Sequence, residues 1–269
     1  MTESQIAVAN GRFNIEVHEQ GSGDPLFFLH GISGLDWNAV LDELATTHRV
    51  IAPRHPGFGD QSQTELDDLS DLVYAYLDLL DALDLDGVPL VGHSLGGMIA
   101  AELAATQPSR FSTLTLLAPM GLWDPQRPIF DFFACTPKEM AMAFFADAEG
   151  EAAQSAGEAG LSRLAQIEIG TNEHNSLVEI YVERAKTLAT AAKYLWPIPN
   201  RGLDKRIHRI SAPTRLIWGS QDHVVPTSYA DDFANAISGA EIRMIESAGH
   251  ELMLEQPASV AAAIQEFIG

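Results

Sequence analysis

The sequence predicts an α/β protein with a mostly parallel sheet, and three observations carry that expectation. Short apolar runs recur along the chain: LFFL (26–29), VIAP (50–53), VPLV (88–91), STLTLLA (112–118), TRLIWG (214–219) and EIRMIE (241–246). Helical patterns fall between them, at about 36–45, 67–84, 95–107, 228–237 and 257–268. Buried runs that alternate with helices are what βαβ units require. The third observation is an interruption: the alternation stops at Pro119 and resumes at residue 214.

The elements follow in order. IAVA (6–9) and FNIEVHE (13–19) flank Asn10-Gly11, a dipeptide that favours the positive φ angles of a hairpin turn. The four apolar runs from 26 to 118 are each bounded by Gly or Pro and read as buried strands. Within 64–86, Leu69, Leu72, Val73, Tyr76, Leu79, Leu80 and Leu83 recur at helical spacing, and acidic residues fill the gaps. That pattern predicts an amphipathic helix with an acidic, solvated outer face. A Gly-rich, Ala-rich stretch after Val91 predicts the helix at 95–107.

Residues 122–205 read as an insert into a core made of 1–121 and 206–269. The insert reads as helical, with Phe130, Phe132, Phe133, Met140, Met142, Phe144 and Phe145 crowded into its first part. It closes with LWPIPNRG, whose prolines and glycine mark a loop returning to the sheet. The sequence contains no internal repeat.

Composition narrows the function classes. A formal charge of −21 argues against nucleic-acid and anionic-membrane partners, because phosphate binding needs clustered Lys and Arg. No run of 18 apolar residues predicts a membrane span. The stretch MTESQIAVANGRFNIEVHEQ lacks the basic and apolar regions of a signal peptide, and Cys135 is the lone cysteine. A cytoplasmic setting is therefore expected. With no ligand cluster and no dinucleotide fingerprint, neither a metal nor an organic cofactor is expected, and the partner is a small-molecule substrate.

Gly92-His93-Ser94-Leu95-Gly96 sits between the strand VPLV and the helix at 95–107. A G-x-S-x-G pentapeptide in that setting predicts a serine on a sharp turn at the sheet's C-terminal edge, where it could act as a nucleophile. The competing reading makes Ser94 an ordinary helix cap. A serine hydroxyl needs a base, and the base needs an orienting acid. Asp222 follows TRLIWG directly, and His250 follows EIRMIE in a Gly-preceded loop, so both fall at C-terminal strand ends. His223, beside the acid, is the main rival base. His174 in the insert and His208 before a strand read as surface residues. His30-Gly31 follows the strand LFFL, and the backbone N–H groups of Ile32 and Leu95 are the expected oxyanion donors. His30, Trp123, Phe144, Trp196 and His223 are the expected substrate-pocket residues.

On HGISG, PGFGDQS, GHSLGG, IWGSQDHVVP and AGHELMLEQP, the chain resembles the α/β-hydrolase superfamily over essentially its whole length. The resemblance implies an eight-stranded sheet with one antiparallel strand and a helical cap formed by the insert. By position, it puts the nucleophile, acid and base on Ser94, Asp222 and His250. Ser94 argues against dehalogenase and epoxide-hydrolase relatives, which carry aspartate there. Carbon–carbon hydrolases of ring-fission products usually have Asn and Trp where this chain has His93 and Glu251. Many relatives also read D-x-P-G-F-G where this chain has Arg54-His55-Pro56-Gly57. The expected function is hydrolysis of a small carboxylic ester through an acyl-enzyme. The alternatives are a carbon–carbon hydrolase of dienoic acids, with Arg127, Arg184, Lys193 or Arg201 holding the carboxylate, and a ligand receptor on the same scaffold.

Overall fold

In the structure, a computed structural model, residues 1–59, 65–157, 161, 167–198 and 200–269 are described. Part of the PGFGDQS motif, residues 60–62, and small parts of the 122–205 segment lie outside them.

Eight strands form one sheet: β1 (Thr2–Val8), β2 (Phe13–Gln20), β3 (Pro25–Leu29), β4 (Arg49–Pro53), β5 (Val88–His93), β6 (Phe111–Leu117), β7 (Thr214–Gly219) and β8 (Glu241–Ile245). Their spatial order is β1-β2-β4-β3-β5-β6-β7-β8. Only β2 runs antiparallel to its neighbours, and the other pairs are parallel. The sheet is thus the expected eight-stranded, mostly parallel one. Register pairs Leu29 with Gly92, His93 with Leu117, and Leu117 with Ile217, so the strand ends that carry the expected site residues share one edge.

The central strands are near-continuous apolar runs because helices cover both faces. Helix α1 (Ala39–Leu44) is shorter than 36–45 predicts. The Asn38 side chain accepts the N–H groups of Val40 and Leu41, which starts the helix there. Helix α2 (Leu69–Ala82) starts on the side chain of Asp68 and buries Leu69, Leu72, Val73, Tyr76, Leu79 and Leu80, the stripe read from the spacing. Helix α3 (Leu95–Thr106) is buried from Leu95 through Ala105, which explains why it lacks a polar stripe.

Between β6 and β7 lie α4 (Pro137–Phe144), α5 (Glu151–Ser155) and α6 (Asn172–Leu195). Residues 118–136 form neither helix nor strand, contrary to the helical reading of the first part of this segment. Pro119, Pro125 and Pro128 lack backbone donors there, and the first capping signal is Thr136 with Glu139. Helix α7 (Tyr229–Ala236) precedes β8. After β8 comes the one-turn helix α8 (Leu252–Glu255), and α9 (Pro257–Ile268) closes the chain. Strand β8 is the sheet edge, and four of its five residues are exposed. Among the described residues, no helix is long and apolar enough to cross a membrane.

Candidate active site

Strand β5 delivers Ser94 into a turn that L-residues seldom adopt, at φ 55° and ψ −113°. The turn is held on both sides. Ser94 N–H donates to the Leu117 carbonyl at 2.9 Å, and its own carbonyl accepts from Met98 and Met120. Sterics explain the flanking glycines. A Cβ on Gly92 would overlap the Gly96 carbonyl and press on the Ala100 methyl at 2.9 Å, while one on Gly96 would collide with the carbonyls of Leu29 and His30. The G-x-S-x-G spacing therefore lets helix α3 start hard against β3 and β5.

The loops after β7 and β8 bring two more side chains to Ser94. His250 Nδ1 lies 2.9 Å from Asp222 Oδ2, and His250 Nε2 lies 2.8 Å from Ser94 Oγ. A carboxylate can only accept, so Nδ1 carries the proton, and the bare Nε2 accepts from the Ser94 hydroxyl. The other Asp222 oxygen, Oδ1, accepts the N–H groups of Val224 and Val225, and Trp218 donates to the Val225 carbonyl, fixing that loop. Burial alone would push the His250 pKa down. Asp222 outweighs it, with help from Glu251, and holds the imidazole above its ordinary range.

The third loop is HGISG. A Cβ on Gly31 would sit 3.2 Å from Ser94 Cβ, so this backbone runs directly past the serine. Leu95 is the first residue of α3, and its N–H has no acceptor within the helix. Ile32 is buried in the same loop, and its N–H donates to no protein group among the described residues.

Several residues with parts in this arrangement escaped the sequence reading. His93 Nε2–H donates to the His250 carbonyl at 2.9 Å, tying the residue before Ser94 to the loop that carries His250. Glu251 is buried, and its Oε1 accepts from the Ser33 hydroxyl at 2.6 Å. Burial works to raise the Glu251 pKa, but His93, His250, Ser33 and Arg184 together bring it below the ordinary carboxylate range. Glu255 accepts from Gly249 N–H with one oxygen and from Ala146 and Asp147 N–H with the other, clamping the His250 loop to the end of α4. In the sequence, His93 and Glu251 are marked only as departures from the carbon–carbon hydrolases, and nothing local marks Glu255.

A cavity of about 720 Å³ reaches the site at Gly31, His93 and Phe144. Of the expected pocket residues, Phe144 and His30 line it, and Phe144 stands edge-on to the His250 ring at 5.4 Å. The other three fall elsewhere. Trp123 is half-buried against the core, Trp196 is 51% exposed and packs on Phe133, and His223 is exposed at the surface. Aromatic content placed the two tryptophans in a pocket, but no side-chain direction can be read from content. Arg184 from α6 also lines the cavity, where it donates to Met140 Sδ and Ser33 Oγ and lies over the Phe144 ring. Arg127 pairs with Asp124 and Asp232, Lys193 reaches the Leu66 carbonyl, and Arg201 lines a separate cavity of about 310 Å³.

Comparison with known proteins agrees with this architecture. A family model described as the α/β hydrolase fold matches residues 24–257. An uncharacterised protein of Mycobacterium tuberculosis is 30% identical over 261 residues, covering 92% of this chain and 76% of that protein. A 2-hydroxymuconate semialdehyde hydrolase of Pseudomonas sp. is 26% identical over 98% of this chain and 93% of its own. A monoacylglycerol lipase of Homo sapiens is 26% identical over 92% and 76%. Among solved structures, a thermophilic esterase from Thermogutta terrifontis superposes with a TM-score of 0.70 at 22% identity, covering 100% of this chain and 98% of that one. A membrane phospholipase A superposes with a TM-score of 0.77 at 23% identity, covering 99% and 85%.

Proposed function

The chain belongs to the α/β-hydrolase family, and we propose that within it the chain is a serine hydrolase that cleaves a small carboxylic ester through an acyl-enzyme. One observation carries this reading: a buried, continuous hydrogen-bond chain from Ser94 through His250 to Asp222, at 2.8 and 2.9 Å. Ser94 Oγ attacks the ester carbonyl while His250 Nε2 takes the hydroxyl proton. Asp222 holds the imidazole tautomer and stabilises the imidazolium. His250 returns the proton to the leaving alkoxide as the tetrahedral intermediate collapses, and the alcohol departs. Water then attacks the acyl-enzyme, its proton going to His250 and on to Ser94 as the acid leaves. The N–H groups of Ile32 and Leu95 are the proposed oxyanion donors in both halves. Each such donor is worth roughly 10²–10³ in kcat in other hydrolases.

The segment 122–205 is proposed as a cap over a core of 1–121 and 206–269. It contributes Phe144, Phe145, Asp147 and Arg184 to the cavity wall.

Charge in the cavity supports an ester over a dienoic acid as substrate. Among the described residues, Asp36, Asp147, Glu151, Glu251 and Glu255 line it, against Arg184 as the only lysine or arginine. Burial and the nearby Glu251 charge raise the Asp36 pKa, as expected where negative charge is concentrated. A substrate carboxylate would meet like charges. Arg184 is the one member of the four cationic candidates that reaches this cavity, so it carries the carbon–carbon alternative.

The test is a panel of p-nitrophenyl esters from acetyl to decanoyl, together with dienoate ketones. The reading expects turnover of the esters, with kcat/KM rising with acyl length until the cavity fills; each buried methylene contributes up to about 0.8 kcal/mol. Turnover of a dienoate ketone alone, abolished by Arg184→Ala, would replace the ester assignment.

A further inference from the structure

His55 lies at the centre of a buried polar chain beside the HGISG loop. His30 and His55 are both buried, with ring centroids 3.7 Å apart, and Phe58 stands edge-on to each. The backbone N–H of His55 lies 2.8 Å from His30 Nε2. A backbone N–H can only donate, so His30 Nε2 must be bare and its proton must sit on Nδ1. That Nδ1 lies 2.7 Å from the Gly31 carbonyl, to which it donates.

The same reasoning fixes His55. Its Nε2 is 2.7 Å from the His30 carbonyl, an obligate acceptor, so Nε2 carries the proton. Its Nδ1 is then an acceptor, and the partner is the hydroxyl of Tyr76, fully buried on α2. The matching requires a bare Nε2, and so a neutral ring, at His30; with a neutral ring at His55, Nδ1 accepts from the Tyr76 hydroxyl. Burial enforces that state, lowering the His55 pKa to about 3 and that of His30 well below its ordinary value.

The end point of this chain is the Gly31–Ile32 peptide. In a trans peptide the carbonyl and the next N–H point to opposite sides. The Gly31 carbonyl accepts from His30 Nδ1 and also from Gly34 N–H at 3.3 Å. Holding that oxygen therefore sets the direction of the Ile32 N–H, which has no protein acceptor among the described residues. Donation to the carbonyl also polarises the amide and strengthens the N–H as a donor.

We propose that His55, held by Tyr76, is a positioning residue for the oxyanion hole: its backbone N–H sets the His30 tautomer, its ring N–H pins the His30 carbonyl, and together they aim the Ile32 N–H. This rests on the serine-hydrolase reading above and adds to it a residue that touches neither substrate nor Ser94.

The test combines ring ¹⁵N NMR of wild-type protein with kinetics of three variants. The tautomer of His30 is read directly: a proton on Nδ1 is expected, and a proton on Nε2 overturns the proposal whatever the variants do. His55→Leu removes the ring donor to the His30 carbonyl. The expected result is a kcat lower by about 10–100-fold, part of the roughly 10²–10³ lost with a whole donor, with KM changed less than about threefold. The affinity of a boronic acid, whose tetrahedral anion fills the oxyanion position, should fall with kcat, while the midpoint of the pH–rate curve stays put. His55→Gln keeps an N–H for the His30 carbonyl and should recover most of the rate, and Tyr76→Phe should show the smallest loss. A His55→Leu protein with wild-type kcat and boronate affinity overturns the proposal. If His55→Leu does not fold, His55→Ala replaces it, and wild-type kcat and boronate affinity in His55→Ala, or a mixed His30 tautomer in wild type, overturns the proposal. Failure of the underlying reading looks different: wild-type Ser94 would neither turn over esters nor bind the boronate, while the His30 tautomer could still be read.

Discussion

The turn that carries Ser94 and the segment between β6 and β7 border the same cavity, but they are built in opposite ways. Around Ser94 nearly every atom is constrained: φ is 55°, the neighbouring glycines leave no room for a Cβ, and the hydroxyl, imidazole and carboxylate are all buried. The segment between β6 and β7 begins with an irregular stretch, 118–136, and exposes Met142, Tyr181 and Trp196 outside the cavity lining. The geometry around Ser94 sits where backbone collisions leave one solution, and the β6–β7 segment has many. Substitutions in the first region should therefore affect activity or folding sharply, and those in the second should act mildly.

The largest effect is expected at the acid. Asp222→Asn keeps the shape but allows the wrong imidazole tautomer, and kcat for a p-nitrophenyl ester should fall by about 10⁴ with little change in KM. A loss below tenfold would mean that the Asp222–His250 bond is structural only. Next comes Gly96→Ala, where the new methyl would meet backbone carbonyls that cannot swing away. Overpacking of this kind costs about 3 kcal/mol, so Tm should drop by roughly 6–12 °C. An unchanged Tm would remove the steric explanation for the pentapeptide.

A smaller effect concerns pH. The folded His250 pKa lies above its ordinary value of 6.5. Its stabilising contribution is thus fully present below pH 6.5 and is lost as pH rises through the folded pKa. Catalysis needs the neutral ring, so kcat/KM should rise over that same interval. His30, His55 and His93 are shifted downward and act in the opposite sense, so the informative quantity is a difference. The Tm of wild type minus that of His250→Gln should shrink as pH rises above 6.5, while wild-type activity grows. A difference independent of pH would contradict the shift. The smallest effect is expected for Trp196→Ala in the looser segment. A side chain this exposed should change stability by less than about 1 kcal/mol and leave the acyl-length profile intact. A shortened profile would return Trp196 to the pocket.

The same contrast explains what was legible in the sequence. Ser94, Asp222 and His250 could be named because each follows a recognisable strand and the pentapeptide is a local steric requirement. The mostly parallel sheet followed from alternation, and its eight strands with one antiparallel from the resemblance; the spatial order came only with the structure. His55, Tyr76, His93 and Glu255 act through partners 21 to 157 residues away or through backbone groups, and no local pattern encodes such pairings. Trp123 and Trp196 do not line the cavity beside Ser94, because aromatic content marks a need for burial, not a direction. The irregular 118–136 stretch could have been read from its prolines, and the hydrophobic crowding obscured them.

The claim on which the rest depends is that Ser94 becomes acylated during turnover. Rapid quenching of the wild-type protein with a slowly deacylated p-nitrophenyl ester, followed by intact-mass and peptide mass spectrometry, reads it directly. The account predicts a burst of p-nitrophenol matching the enzyme concentration and an acyl adduct on the peptide that contains Ser94, both absent from the folded Ser94→Ala protein. Steady turnover by wild type with no adduct at any time, or an adduct on another residue that survives in Ser94→Ala, would contradict it.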